Sequence, residues 1–201
     1  MTPEGFRTFF QSLGIEYLSA NKYVPFRLGE RDVRRTPYYR RNKDEFELLA
    51  LRYSSFLDNP EKLPELEVRT IGGLLGRGLF SLNAVPAGNL VGEYTGIVQP
   101  ARKGRALKDG GFSSDYSWGF PKVSFPGRAL EIDARLAGGP LRFVNHGINP
   151  NTEVEHFVSD GRWRIVFTAV KSIQPGDELT VDYGPAYWCG GSREMVVNYS
   201  S

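Results

Sequence analysis

Arg142-Phe143-Val144-Asn145-His146-Gly147-Ile148-Asn149-Pro150-Asn151 and Gly176-Asp177-Glu178-Leu179-Thr180-Val181-Asp182-Tyr183-Gly184 are the two stretches on which the reading of this 201-residue chain turns. Each joins a short apolar run to polar residues and ends in turn formers. Outward from them, the chain keeps the same texture back to residue 66. Short apolar runs recur there, bounded by Gly, Pro or Asn: Leu66-Glu67-Val68, Gly78-Leu79-Phe80, Leu90 to Tyr94, Ala129 to Ile132, Glu153 to Val158, Trp163 to Phe167 and Glu178 to Val181. Runs of this length with these boundaries predict several small antiparallel sheets. The 23 Gly and 13 Pro make up nearly a fifth of the chain and favour a turn-rich, mainly β protein over a helix bundle.

Before residue 66 the period changes. Phe6, Phe9, Phe10 and Leu13 fall at helical spacing, with Gly14 as the stop. Residues 21–43 read as irregular and basic, with Arg31, Arg34, Arg35, Arg40, Arg41 and Lys43 around Pro37-Tyr38-Tyr39. A second helix is predicted from Asp44 to Leu57, with Phe46, Leu49, Ala50, Tyr53 and Leu57 on its apolar face and Asn59-Pro60 at its end. The break near 58–66 divides the chain into a small helical N-terminal region (1–65), a β-rich domain (66–188) and a tail (189–201). A net charge of +2 implies no strong field for nucleic acid or membrane. The single cysteine, Cys189, excludes a disulfide framework or a multi-cysteine zinc site within one chain and fits a reducing compartment. No apolar run approaches the roughly 20 residues that span a bilayer, and Met1 to Leu13 lacks the pattern of a secretory signal.

The two opening stretches together resemble the two signature motifs of the SET-domain protein lysine methyltransferases. Other segments follow in the family's order: Gly76-Arg77-Gly78, Glu93-Tyr94-Thr95-Gly96, and Asp115-Tyr116-Ser117-Trp118 followed by Ile132-Asp133-Ala134. The resemblance covers about residues 66–188; residues 1–60 take no part in it. It implies a SET-domain fold of several small antiparallel sheets with a C-terminal pseudoknot, plus the helical N-terminal lobe. It also implies S-adenosylmethionine as methyl donor. By this resemblance the donor-binding residues are Gly76, Arg77, Gly78, Tyr116, Arg142, Phe143, Asn145, His146, Tyr183 and Trp188. Tyr94, Val181 and Tyr187 would line the substrate side, Tyr183 with Tyr94 would be catalytic, and no metal is required. Gly147-Ile148 stands where Ser-Cys is common in the family. Val181 stands where many members carry Phe or Tyr, which leaves the number of methyl groups added open.

The chemistry suits these residue types. Methyl transfer is an in-line displacement, so the task is alignment and exclusion of water. The lysine nitrogen must be neutral against an ordinary pKa of about 10.4. A narrow aromatic channel beside a sulfonium disfavours the charged amine by desolvation and like-charge repulsion. The expected substrate is a histone tail or a histone-like basic protein, with Glu153, Glu155, Asp109 and Asp115 as candidates for an acidic groove. Nucleic acid would be reached only through that substrate, no membrane is involved, and a second copy of the chain is a candidate partner. The lack of cysteine-rich flanking segments points, by analogy, to a compact bacterial form. It would act in the bacterial cytoplasm, or in a host nucleus if secreted as an effector. Two other classes compete: a non-catalytic SET module that binds a peptide or partner, and a nucleic-acid binder acting through residues 31–43.

Overall fold

Thr2 starts the first helix: its hydroxyl accepts the Gly5 N–H at 3.2 Å, and Pro3 occupies the first turn, where a missing N–H costs nothing. This helix, α1 (Pro3–Ser12), buries Phe6 and Phe10. The chain leaves it through Gly14 at φ +68°, a left-handed step that suits a residue without Cβ. The computed structural model describes residues 1–73, 76–101, 115–120 and 130–188, with only the backbone of Ala186 and Trp188. Asp109, Cys189 and the 189–201 tail lie outside the described residues.

The strands form three sheets. One contains β1 (Glu16–Tyr17), β2 (Lys22–Tyr23), β6 (Gly96–Pro100), β7 (Ser117–Gly119) and β8 (Leu130–Gly138), in the order β1-β8-β6-β2 with β7 also on β8. A two-stranded sheet pairs β3 (Leu66–Gly72) with β4 (Gly76–Ser81). The third contains β5 (Leu90–Glu93), β9 (Asn145–His146), β10 (Thr152–Ser159), β11 (Arg162–Ala169) and β12 (Thr180–Val181), in the order β5-β11-β10-β12-β9. Gly76-Arg77-Gly78 opens β4 itself.

Helices α1, α2 and α3 all fall in the first 65 residues, but β1 and β2 lie there too, and the region does not stand apart from the sheets. β1 runs parallel to β8 and β2 parallel to β6, so both close edges of a sheet built by later residues. One hydrophobic core runs from Phe6 to Val181. The stretch 21–43 is more ordered than its composition suggests. A 3₁₀ turn at Val33–Arg35 leads to α2 (Pro37–Arg41), which begins at Pro37 because Thr36 caps it, accepting the Tyr39 N–H at 3.2 Å. Val33 and Tyr39 are buried, and Tyr39 stacks on Phe46 at 5.9 Å.

Next comes α3 (Lys43–Leu57), whose buried face is the predicted one: Phe46 and Tyr53 inside, Leu49, Ala50 and Leu57 at its margins. It covers the β10–β11 hairpin, with Phe46 edge-on to Trp163 at 5.1 Å and Tyr53 against Phe157 at 5.7 Å. Full burial of a ring of this size stabilises by roughly 2–3 kcal/mol. The Tyr53 hydroxyl donates to the Glu155 carboxylate, and burial first, then Glu155, raises the Tyr53 pKa. Glu155, a candidate for a substrate groove, therefore serves the α3 contact, while Glu153 is exposed.

The C-terminal strand is threaded. β12 lies between β9 and β10 and runs parallel to both. Residues 147–151 connect those two flanking strands and must pass over β12. Bridging two strand spacings, roughly 9.5 Å, is within reach of five residues. Asn151 fastens the crossing: its Nδ2 donates to Glu178 O (2.8 Å), its Oδ1 accepts the Thr180 N–H (2.8 Å), and its own N–H reaches Thr180 Oγ1 (3.3 Å). The Thr152 hydroxyl adds a bond to Thr180 O at 2.8 Å. A Cβ at position 147 would sit 2.8 Å from Thr180 Cβ, so Thr180 fills the space that a side chain at 147 would need. Gly147→Ala is expected to destabilise by about 1–3 kcal/mol through overpacking, read as a lower urea midpoint. An unchanged midpoint would mean that the crossing loop can rise off β12.

Candidate active site

The threading brings the two signature stretches against each other. Residues 176–179 first zip along β4, with Leu179 N donating to Leu79 O (2.7 Å) and Gly176 N to Ser81 O (2.7 Å). Here Glu178 lies over Gly78: a Cβ on that glycine would approach Glu178 Oε1 to 2.6 Å. Asn145 joins the same cluster, its Nδ2 donating to Arg77 O (3.0 Å) and to Glu178 Oε1 (2.8 Å). Gly76, Arg77, Gly78 and Asn145 thus meet in one corner of the molecule.

Beyond β12 the chain returns to β9. The Tyr183 N–H donates to His146 Nδ1 at 3.3 Å, and its hydroxyl donates to Val144 O at 2.8 Å. The Asp182 carboxylate is 3.7 Å from the same Nδ1. A nitrogen that accepts an N–H carries no proton of its own, so the backbone contact is the better account of this geometry. The Tyr183 ring lies 5.6 Å from His146, 6.5 Å from Trp118 and 4.5 Å from Tyr187, the last on α4 (Pro185–Trp188). Asp115, Ser117, Trp118, Tyr183 and Tyr187 line a small, partly open pocket. Three aromatic rings, the Asp115 carboxylate and the Ser117 hydroxyl contribute to a wall that attracts an alkylammonium.

Tyr94 sits one layer behind that pocket. It is 2% exposed, stacks on Phe167 at 5.9 Å, and its hydroxyl donates to Tyr116 O at 2.7 Å. Arg142 is buried as well. Its Nε donates to Ala134 O (2.8 Å), its Nη2 to Arg135 O (3.2 Å), and its guanidinium lies over the Tyr116 ring at 4.2 Å. Burial lowers the Arg142 pKa, the nearby tyrosines oppose that shift, and Arg77 adds to it as a second cation. The Phe143 ring turns to Phe9 (5.9 Å) and Phe10 (5.6 Å), so it anchors α1. Val181 is buried opposite His146 in the β12–β9 register. The side chain of Trp188 lies outside the described residues.

The sequence reading assigns no individual role to Trp118, Glu178, Asn151 or the Val144 carbonyl, although all four stand in the quoted stretches. Trp118 had a signal: it stands in the Asp115-Tyr116-Ser117-Trp118 segment, which opens onto β7. The others act through contacts with residues distant in sequence, which no local pattern announces.

Burial is the main cause that raises the Tyr94 and Tyr183 hydroxyls well above the ordinary tyrosine value of 10.0; each is raised further by neighbouring tyrosines, and Tyr183 also by Asp115 and Glu178. Tyr183 therefore stays a neutral hydrogen-bonding group across the physiological range. The folded pKa exceeds the unfolded one, so this stabilisation is complete below pH 10 and is lost as pH rises beyond it. Tyr94 alone should remove about 1.4 kcal/mol per pH unit in that window. Urea midpoints at pH 8 and pH 11 should differ accordingly; equal midpoints would contradict the burial of these hydroxyls.

The SET-domain profile matches residues 76–184. The chain belongs to the SET-domain family. Histone-lysine N-methyltransferase Set2 of Drosophila melanogaster is 33% identical over 108 residues, 54% of this chain and 5% of that protein. The H3 lysine-4 specific histone-lysine N-methyltransferase of Saccharomyces cerevisiae is 34% identical over 144 residues, 69% of this chain and 12% of that protein. The chain thus spans a small part of the length of these relatives. Among solved structures, a humanized mutant of the Chaetomium thermophilum Polycomb Repressive Complex 2 bound to the inhibitor GSK343 is similar with a TM-score of 0.50. That match has 27% identity and covers 64% of this chain and 16% of that one. The matched SET domain contains the β4 glycines, β9, the threaded β12 and Tyr183, and it leaves α1 to α3 outside.

Proposed function

We propose that this SET domain transfers a methyl group from S-adenosylmethionine to a lysine side chain of a protein, a histone tail or a histone-like basic protein. The observation that carries the reading is Tyr183. It is a neutral phenol at the wall of an aromatic pocket, tied through its backbone to His146 and through its hydroxyl to Val144. The names of the relatives support the reaction and the substrate class.

The donor fits the residues present. Gly76 brings bare backbone to the corner where Arg77 and Asn145 meet, beside Gly78 and the Glu178 carboxylate that covers it, and the Arg77 cation suits an anionic carboxylate. S-adenosylmethionine supplies, when bound, an electrophilic methyl on a sulfonium. The Trp118, Tyr183 and Tyr187 rings would hold the lysine stem and exclude water. They also desolvate its ammonium, which favours loss of the proton to solvent before the nitrogen attacks. Tyr183 then orients the neutral nitrogen; as a protonated phenol it is no base.

The test is incubation with S-adenosylmethionine and mixed histones, followed by intact-mass measurement. Steps of about 14 Da on one lysine peptide are expected, one for each methyl delivered by aligned transfer. Donor binding without any mass step on histones or bacterial histone-like proteins would remove this substrate class. Failure to bind the donor would remove the catalytic reading and leave a peptide-binding module.

A further inference from the structure

Charge is unevenly shared along the chain. Residues 27–43 hold seven Arg and Lys against two Asp and Glu, a net +5, whereas the whole chain carries +2. Everything outside this run therefore sums to −3. Six of the seven cations are arginine, and all seven side chains are exposed.

The run is held rigidly from within. Val33 and Tyr39 are buried, Val33 N donates to Gly161 O at 2.8 Å, and Thr36 caps α2. Its acid Asp32 is used up by Arg34, Nη2 to Oδ2 at 2.8 Å, and Lys43 pairs with Glu47 at 3.5 Å. Arg35, Arg40 and Arg41 make no ion pair among the described residues. Turn and helix rises of about 2.0 and 1.5 Å per residue put the whole of 34–43 within roughly 20 Å. That length matches about six base-pair steps of duplex. The β10–β11 turn adjoins the run through Gly161, and its Arg162 lines one pocket together with Arg31, so the basic face extends onto the SET sheet.

We propose that this strip, centred on Arg35, Arg40 and Arg41, docks the phosphate backbone of double-stranded nucleic acid. The guanidinium fork suits phosphate oxygens, and backbone contact of this kind reads no sequence. A basic lysine-bearing tail would be repelled here, so the strip is separate from any substrate groove. It fits instead the polyanion on which a histone-like substrate is carried. The inference goes beyond methyl transfer and does not depend on it.

The experiment is fluorescence anisotropy with a labelled 20-base-pair duplex of arbitrary sequence, using the full chain at 50 and 200 mM salt. With about four phosphates neutralised, affinity should fall about 10²-fold between the two. The triple variant R35Q/R40Q/R41Q should bind at least about tenfold more weakly at 50 mM, with a salt slope shallower by about three. Its melting temperature should be within about 2 °C of the parent, since these exposed side chains make no hydrogen bond or ion pair among the described residues. Absence of binding at 50 mM, equal affinity in the folded triple variant, or binding to poly-glutamate but not duplex would each overturn the proposal. No donor is present in the assay, so its failure is distinct from failure of methyl transfer.

Discussion

Tyr183→Phe is expected to lower the rate of methyl transfer by about 10²-fold or more while donor affinity stays within a few-fold of the parent. Phenylalanine preserves the ring and hence the contacts with Trp118, Tyr187 and His146. It also keeps the backbone bond to His146 Nδ1. What disappears is the hydroxyl bonded to Val144 O, the polar handle at the pocket wall. Loss of one such group at a reacting centre costs on the order of 10²–10³ in rate, and small misalignment alone can cost 10². Single-turnover rates at saturating donor are the measurement. Because the hydroxyl pKa is raised by burial, the parent's pH–rate profile should show no limb from this tyrosine below pH 10. A variant that keeps full rate would reduce Tyr183 to a wall of the pocket.

Asn151→Ala should cost about 2–5 kcal/mol of stability. The side chain is buried, and its removal strips partners from both Glu178 O and the Thr180 N–H inside the crossing. Each buried group left without a partner costs about 1–3 kcal/mol. A chain of this size loses about 2–4 °C of melting temperature per kcal/mol, so a fall of roughly 5–15 °C is expected. Asn151→Asp keeps the acceptor for Thr180 N–H but sets a carboxylate against Glu178 O, and it should fall no less far. A melting curve within 2 °C of the parent for the alanine variant would show that Asn151 does not fasten the crossing.

Much of this architecture is legible in the chain itself. The α3 face follows from 3.6-residue spacing, and β10 and β11 follow from apolar runs bounded by turn residues. The convergence of Gly76–Gly78, Asn145-His146 and Tyr183 is implied by the ordered motifs. The rest is hidden for physical reasons. β1, β2, β9 and β12 are two residues long, too short to show any period, and exist only because a longer strand offers them an edge or a slot. Tyr39 sits among arginines, so composition marks its segment as solvated although its ring is in the core. Glu155 reads as a free surface acid, but its neighbour two positions on, Phe157, faces α3, and alternation sends Glu155 to the same side. Arg142 reads as a ligand group, whereas its guanidinium bonds to Ala134 O and Arg135 O and covers Tyr116.

The threaded position of β12 also sets a timetable. During synthesis, β9 and β10 leave the ribosome before the strand that must lie between them. At the usual 5–20 residues per second, the roughly forty residues from Asn145 to Tyr183 take about 2–8 s to make. Throughout that interval the slot beneath 147–151 has no occupant, and His146 has no Tyr183 to meet. A chain still being made, or one cut short before residue 180, can hold most of its hydrophobic core and yet possess no reaction centre. On the proposed function, the site that would modify a substrate is completed only by this late step, when β12 takes its place between β9 and β10.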